Sequence, residues 1–290
     1  MPESTKSEEL PKTSSLPPEV PEEQVGLFRD ALQALETNRV PYAISGAFAL
    51  RQHTGICRFT KDLDLFLPAK YCVATLAILR RAGMECDVTD PVWLYKARRG
   101  EFFVDLITGM SNGLIAVEDS WIERARPAVV YGVTTRVLAP EELVASKLFV
   151  ARRERFDGAD IAHVIYGTAD RFDWARELQL VGDHWEMLLW ALVLFRYIYP
   201  AQTHYVPAEI WHELLRRFTE QIRNPDPHAE FRGSLVDEKM FAIDVNEWDL
   251  DNLFERKRQM RLSRLDKEQI AIPETNMDLS ERRDQSERSV

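Results

Sequence analysis

Two aspartates separated by one residue, Asp62 and Asp64, have the types and spacing best suited to chemistry in this sequence. They alternate with Leu63, Leu65 and Leu67 in the pattern of a β-strand, in which successive side chains point to opposite faces. The two carboxylates therefore share one face and lie about 7 Å apart along the strand. Unpaired buried carboxylates are costly, so this spacing favours a site for divalent cations over a structural role.

Asp105 is a third acid on a predicted strand. In the segment EFFVDLITG it shares a strand face with Phe103 and Ile107 and is the lone acid among apolar residues. A salt bridge in the core would explain it equally well when the strand is taken alone. Beside the strand of Asp62 and Asp64, it would complete a site for two divalent ions.

The elements that must position these acids follow from the periodicity of apolar residues. Helical spacing over Gln24 to Thr37 and over Lys70 to Ala82 predicts two amphipathic helices. Between them, a strand ending near Ile44 leads through a glycine turn and a short helix to the strand of Asp62. The following region predicts short strands that extend the sheet, with the sequences MECDVTD, VWLYKAR, EFFVDLITG, AVVYG and VTTRVL.

After Pro140 the pattern becomes helical. The segment EELVASKLFVARRERF predicts one helix, with two acids in its first turn and arginines late, as the helix dipole favours. Further helices are predicted over 157–166, 174–180, 186–199 and 208–223. The longest apolar run, about 14 residues from Met187, is shorter than the roughly 20 needed to cross a bilayer. We therefore predict a buried core helix there and no membrane association.

The sequence thus predicts a mixed α+β fold, in which a mixed sheet with flanking helices is followed by an α-helical half. We expect a disordered lead-in over 1–21, an α/β domain over 22–139 and a helical domain over 140–223. An extended C-terminal segment over 224–290 should be mostly disordered from about residue 261, because its composition is strongly charged.

Composition excludes several classes of protein. The net charge of −10 argues against an extended basic surface for duplex nucleic acid. The three cysteines form no CxxC pair and the N-terminus has no apolar signal segment, so we expect reduced thiols and a cytoplasmic protein. Zinc-type histidine spacing, P-loop and Rossmann patterns do not occur.

A set of residues within about 40–170 resembles the nucleotidyltransferase-fold superfamily, namely Ser45-Gly46-Ala47, Arg58-x-Thr60-x-Asp62-x-Asp64, Asp105 and Lys147. Within that superfamily, the sequence resembles the minimal nucleotidyltransferases and the AbiEii-type toxin nucleotidyltransferases of abortive-infection systems. The resemblance implies an enzyme that moves a nucleoside monophosphate from an NTP to an acceptor hydroxyl. It leaves the acceptor open among a tRNA end, a protein hydroxyl and a small molecule. A toxin role and a cognate antitoxin follow from the resemblance alone.

The resemblance also implies roles for the site residues. Asp62, Asp64 and Asp105 would hold Mg²⁺ or Mn²⁺, with Asp105 on the acceptor side, where it would also take the hydroxyl proton. Ser45 and Gly46 would bind the β and γ phosphates of the NTP through the hydroxyl and backbone N–H groups.

Three basic residues carry alternative interpretations, and two aspartates of one predicted helix are weighed beside them. Lys147 would contact phosphate, or it is a surface lysine whose stem covers an apolar helix face. Arg58 and Lys61 would contact phosphate, or they simply offset the acidic cluster. Asp157 is explained by helix N-capping, so Asp160 is the remaining candidate on that helix.

A catalytically silent nucleotide-binding or protein-interaction module that keeps this fold is the competing hypothesis. The three aspartates disfavour it, because a silent module has no reason to keep a mutually repulsive acidic cluster.

Overall fold

Seven strands form the central sheet of the computed structural model, which describes residues 20–268. In chain order they are β1 (Ala43–Ile44), β2 (Asp62–Phe66), β3 (Glu85–Asp90), β4 (Leu94–Arg99), β5 (Phe102–Ile107), β6 (Arg126–Val130) and β7 (Val133–Val137). Their order across the sheet is β3-β4-β5-β2-β1-β7-β6. β2 is parallel to β5 and β1 is parallel to β7, whereas the other neighbouring strands are antiparallel. The predicted mixed sheet is therefore confirmed.

Helices flank this sheet and continue after it. The first half contains α1 (Glu22–Thr37), α2 (Gly46–Thr54), α3 (Cys72–Arg81) and α4 (Asp119–Arg124). The second half contains α5 (Pro140–Lys147), α6 (Gly158–Thr168), α7 (Trp174–Val181), α8 (Trp185–Ile198), α9 (Ala208–Arg223), α10 (Gly233–Val236), α11 (Ala242–Asn246) and α12 (Leu253–Lys267). This order confirms the predicted α+β fold with a helical second half, and the domain boundary near Ala139 stays a prediction.

Burial follows the apolar periodicity in the elements that position the site. In α1, Leu27, Ala31 and Leu35 recur at helical spacing and are fully buried. In β2, Leu63 and Leu65 are fully buried, whereas the aspartates that alternate with them are part-exposed. Burying each such leucine stabilises the fold by about 1.5–3 kcal/mol, so the strand cannot slip by one residue without exposing its core face.

The predicted single helix after Pro140 is wrong beyond Lys147. α5 ends there, and the chain forms a small hairpin of β8 (Ala151–Arg152) and β9 (Arg155–Phe156). The hairpin brings Asp157 back, so that its carboxylate Oδ2 lies 2.6 Å from the Lys147 ammonium Nζ. Ten residues of continued helix would have separated them by about 15 Å. A tertiary ion pair therefore overrides the local helical pattern.

The expectation of disorder from about residue 261 is wrong as far as Lys267. α12 continues to Lys267, and both Arg261 and Leu265 on it are buried. The charged composition did not prevent packing, because the Arg261 guanidinium donates hydrogen bonds to two backbone carbonyls of the first half, those of Val92 and Thr108. The remaining tail over 269–290 and the predicted lead-in over 1–19 lie outside the described residues.

The helical stretch from Trp174 to Ile198 is long and apolar enough, by length and composition, to cross a membrane. Core helices of soluble proteins pass the same test. Its second part, α8, packs against α6 and α9 and fully buries Leu188, Leu192 and Phe195. One face of α8 thus behaves as the predicted core helix, while Trp190 and Val193 remain exposed.

The three cysteines are free thiols in this structure. Cys72 and Cys86 are buried, and burial raises the pKa of both thiols. Neither is therefore poised as a reactive thiolate at neutral pH.

Candidate active site

The structure brings Asp62, Asp64 and Asp105 together. β2 and β5 are parallel neighbours, and their register places Asp64 directly beside Asp105. One carboxylate oxygen from each of the three residues lies within 4.8 Å of the others. This proximity arises because the Asp-x-Asp face of β2 and the Asp105 face of β5 lie on the same side of the sheet.

The carboxylates of this triad interact unfavourably with one another. Burial, followed by the negative charges of Asp62 and Asp105, raises the pKa of Asp64 to about 7. Burial also raises the pKa of Asp105, although the ammonium of Lys96 opposes that shift. Lys147 and Arg155 lower the pKa of Asp64 only in part. The site therefore has a deficit of positive charge.

The chemistry of these donors fits a divalent metal ion. Carboxylate oxygens are the ligands that Mg²⁺ and Mn²⁺ prefer, and a cation between the three carboxylates would relieve their repulsion. Each member of the triad also keeps at least one oxygen directed toward the shared space.

The glycine turn between β1 and α2 lies against the triad. Gly46 has a φ of +56°, and a β-carbon on it would lie 2.0 Å from Oδ2 of Asp64. The backbone N–H of Ser45 donates to the carbonyl of Asp64 at 2.9 Å, so it is not available to a ligand. Gly46 and Ala47 begin α2, where backbone N–H groups lack helical partners and the helix dipole is positive. Their N–H groups, rather than that of Ser45, suit an anion.

Lys147 is buried, with 6% of its surface exposed, so it is not a surface lysine. Its ammonium lies 2.6 Å from a carboxylate oxygen of Asp157 and 2.8 Å from one of Asp160. Asp160 is also paired with the half-exposed guanidinium of Arg58. The structure thus joins three predicted site residues, Arg58, Lys147 and Asp160, in one ion-pair network.

Asp157 does not act as predicted. It occupies the N-cap position of α6, but its side chain accepts no capping hydrogen bond from that helix. Its carboxylate instead accepts from Lys147 and from the guanidinium of Arg155. Burial alone would raise the pKa of Asp157, but these two cations lower it below its usual range. The carboxylate is therefore ionised and fully engaged.

Arg155 and Lys96 are residues near the triad that sequence reasoning missed. The β8-β9 hairpin places Arg155 near the triad, and no local pattern predicted that hairpin. Lys96 donates to Asp105 at 2.6 Å. Its pairing was readable, because the turn at Gly100 fixes the antiparallel register that sets Lys96 opposite Asp105. The salt-bridge interpretation of Asp105 and the triad interpretation thus both apply.

A cleft of about 420 Å³ joins these groups. Ser45, Gly46, Arg58, Lys147 and the triad line it, but Lys61 is exposed and does not. Other lining residues belong to the β8-β9 hairpin and to the loop after β5, namely Arg152, Arg155, Met110, Ser111 and Asn112. The cleft thus combines three carboxylates that suit a metal ion (a metal-type donor set), a helix N-terminus that suits an anion (an anion-type helix start) and cationic side chains.

The chain is similar to several solved structures at low identity. The antibiotic-resistance factor ANT(2″)-Ia in solution is 18% identical with a TM-score of 0.39, covering 63% of this chain and 96% of that one. The lincosamide antibiotic adenylyltransferase LnuA with lincomycin bound is 15% identical with a TM-score of 0.36, covering 50% and 96%. JHP933 from Helicobacter pylori is 15% identical with a TM-score of 0.36, covering 87% and 97%.

No curated protein sequence matches this chain. A family model described as nucleotidyl transferase of unknown function, DUF2204, matches residues 26–179, more than half of the chain. The matched span contains the glycine turn, the three aspartates and the Lys147 network. The chain therefore belongs to this family of nucleotidyl transferases.

Proposed function

We propose that this transferase is metal-dependent and moves a nucleoside monophosphate from an NTP to an acceptor hydroxyl, releasing pyrophosphate. The observation that carries the proposal is that the Asp62, Asp64 and Asp105 carboxylates converge beside the N-terminus of α2 in one cleft. A metal-type donor set next to an anion-type helix start is the arrangement that phosphoryl chemistry needs.

Asp62 and Asp64 would hold Mg²⁺ or Mn²⁺, and Asp105 would complete the set on the acceptor side. When bound, the metal would neutralise charge on the reacting phosphate and lower the pKa of the attacking hydroxyl. Asp105 would accept the hydroxyl proton, since burial raises the pKa of its carboxyl. Lys96 would limit that rise and keep the carboxyl ionised before transfer.

The N–H groups of Gly46 and Ala47 would bind the terminal phosphates, with Ser45 supplying its hydroxyl. Arg155 is the cation best placed to assist, because its charge interacts with both Asp62 and Asp64 and its side chain remains largely exposed. Lys147 and Arg58 would act on the phosphates from within their ion pairs with Asp157 and Asp160. Lys61 does not line the cleft, so its charge would act on the phosphates only at long range.

The proposal extends to the acceptor, to a toxin role and to a cognate antitoxin. A tRNA end, a protein hydroxyl and a small molecule all remain open as acceptors. The toxin role, the antitoxin and the likeness to AbiEii-type enzymes rest on the residue pattern alone, and the cytoplasmic location rests on the free cysteines.

The test is to incubate the protein with each α-labelled NTP and Mg²⁺ or Mn²⁺, and to follow label into RNA, protein and small-molecule fractions. Asp62→Asn and Asp64→Asn should abolish metal-dependent transfer. Asp170→Asn, at an exposed acid with no ion pair among residues 20–268, should leave it unchanged. Metal-dependent NTP binding without transfer to any fraction would support the silent-module alternative.

A further inference from the structure

One wall of the cleft has no role in the proposed handling of metal and NTP. Trp93, just before β4, and the loop residues Met110, Ser111 and Asn112 form this wall. We call it the Trp93 wall. Ile107, on the same strand face as Asp105 and about 7 Å further along β5, also lines the cleft and connects the wall to the acceptor side of the triad.

The C-terminal helix α12 holds Trp93 in place through Asp90. The guanidinium of Arg258 donates to both carboxylate oxygens of Asp90 at 3.0 Å. The Asp90 carboxylate accepts the indole N–H of Trp93 and the backbone N–H of Val92, each at 3.0 Å. Because a bidentate pair is geometrically specific, it fixes the indole as well as the carboxylate.

The loop side of the Trp93 wall is also held by α12. Arg258 donates to the carbonyl of Ser111 at 2.8 Å. Arg261, which is only 7% exposed, donates to the carbonyls of Val92 at 2.8 Å and Thr108 at 2.7 Å. A β-carbon on Gly113 would lie 3.0 Å from the backbone of Lys257 in α12. The helix therefore ties the two backbone segments of the wall to each other.

A buried guanidinium bonded only to carbonyls is costly, since Arg261 gains no carboxylate partner among residues 20–268. Leu253 and Leu265 alone would give α12 an apolar attachment. The arginine contacts add a defined geometry at Val92 and Thr108, which directly adjoin the Trp93 wall.

The charges in the cleft limit which acceptor this wall suits. The acids that line it are Asp62, Asp64, Asp105 and Asp157. The first three form the metal-type set, and Asp157 is engaged by Lys147 and Arg155. No carboxylate on the described lining is left to pair with an ammonium group of an acceptor, and Arg152 and Arg155 would repel one. The indole instead offers a flat apolar face.

We infer that the Trp93 wall, held by α12, is the acceptor subsite, and that it takes an acceptor with a planar ring and no positive charge. This inference rests on the proposed nucleotidyl transfer. Trp93 contacts the acceptor, whereas Arg258 is a positioning residue that acts through Asp90 and Ser111.

Three defined probes test this acceptor class with each labelled NTP and Mg²⁺. 4-Nitrophenyl β-D-glucoside carries a planar ring beside its sugar hydroxyls, methyl β-D-glucoside carries the same hydroxyls without the ring, and tobramycin is polycationic. We expect kcat/KM for the nitrophenyl glucoside to exceed that for either other probe by about tenfold, as ring stacking on an aromatic side chain predicts. Equal or faster labelling of tobramycin would overturn the inference.

Variants assign the effect to the wall. Trp93→Ala should remove the preference for the nitrophenyl probe without changing the KM for NTP, and Trp93→Phe should restore most of it. Trp248→Ala, at an exposed tryptophan, is the control.

Arg258→Ala should raise KM for the nitrophenyl probe with the KM for NTP unchanged, whereas Arg256→Ala, on the same helix but half-exposed, should not. If Arg258→Ala does not fold, the Trp93 pair decides alone, and an unchanged preference in Trp93→Ala contradicts the inference.

Two further outcomes separate this inference from the proposed function. If Mg²⁺ with NTP labels the RNA, protein or small-molecule fraction but none of the three probes, the acceptor assignment is wrong and nucleotidyl transfer still stands. If Mg²⁺ with NTP neither stabilises the parent nor supports transfer to any fraction, the proposed function fails and the inference fails with it.

Discussion

Gly46 and Asp64 are in such close contact that a β-carbon at position 46 would lie 2.0 Å from Oδ2 of the aspartate. The glycine also has a φ of +56°, in the left-handed region that side chains disfavour. This contact couples the start of α2, where we place the NTP phosphates, to the central carboxylate of the triad.

Gly46→Ala should therefore displace the Asp64 carboxylate and abolish metal-dependent transfer. Strain at the left-handed backbone alone should destabilise the fold by about 1–2 kcal/mol. Gly100→Ala is the matched control, because Gly100 has a φ of +62° and no atom within 4 Å of an added β-carbon. It should lose similar stability but keep activity. Equal activity in the Gly46 and Gly100 variants would contradict the assigned contact.

Asp64→Asn should leave the metal-free protein as stable as the parent or more stable, because it removes repulsion within the triad. In the folded protein the pKa of Asp64 is raised from 3.8 to about 7. Between these two pKa values the folded state holds a proton that the unfolded state has released. This group therefore makes the metal-free protein less stable as pH rises from 3.8 to about 7.

Thermal melts of the parent and Asp64→Asn at about pH 5 and about pH 8 check this sign. The loss of metal-free stability between the two pH values should be smaller in Asp64→Asn than in the parent. The stabilisation by Mg²⁺ with NTP should also shrink sharply in the variant. Asp170→Asn serves as the exposed control. A large drop in stability of Asp64→Asn without metal would show that the carboxylate has a structural partner.

Lys147→Met should destabilise the fold by about 3–5 kcal/mol, as expected when one partner of a buried ion pair is removed. The loss arises because Asp157 and Asp160 each lose a cation while remaining buried. Urea denaturation of Lys147→Met, Asp157→Asn and the double variant gives the coupling energy, which should exceed about 0.5 kcal/mol. Additive losses would show that the two charges do not interact, and NTP affinity measured on the folded fraction tests the phosphate role separately.

Glu177→Gln should stabilise the protein at neutral and higher pH. Glu177 is fully buried, and neither carboxylate oxygen has a hydrogen-bond partner in the described part of the chain. Burial, and then the charges of Glu141 and Glu142, raise the pKa of Glu177 well above its usual range. As pH rises above the usual pKa of a glutamate, the unfolded state releases this proton while the folded state keeps it. The folded protein therefore loses stability until the pH reaches the raised pKa.

The measurement is the free energy of unfolding across the pH range for the parent and Glu177→Gln. The parent should lose stability with rising pH more steeply than the variant, since the amide cannot ionise. Glu247→Gln, at an exposed glutamate, should follow the parent. Parallel pH profiles for the parent and Glu177→Gln would mean that the buried carboxyl finds a partner.

Local patterns were enough for the elements and for part of the site. The alternation of leucines and aspartates set the face of β2, because a one-residue shift would expose Leu63 and Leu65. The apolar spacing of α1 and the turn at Gly100 are likewise local, and that turn even specified the Lys96 and Asp105 pair. The sequence by itself thus determined the mixed α+β fold and an acidic centre beside a glycine turn.

Only the tertiary structure decided what surrounds that centre. Lys147 meets Asp157 because a hairpin replaces a helix, and Asp157 prefers two cations to the cap that its position suggested. Arg258 and Arg261 reach Asp90, Val92 and Thr108 across more than half of the chain. Such contacts depend on which buried charges find partners after the chain has packed. Residue spacing does not predict these partners, because the cost of desolvating a charge and the gain from pairing it arise only in the folded interior.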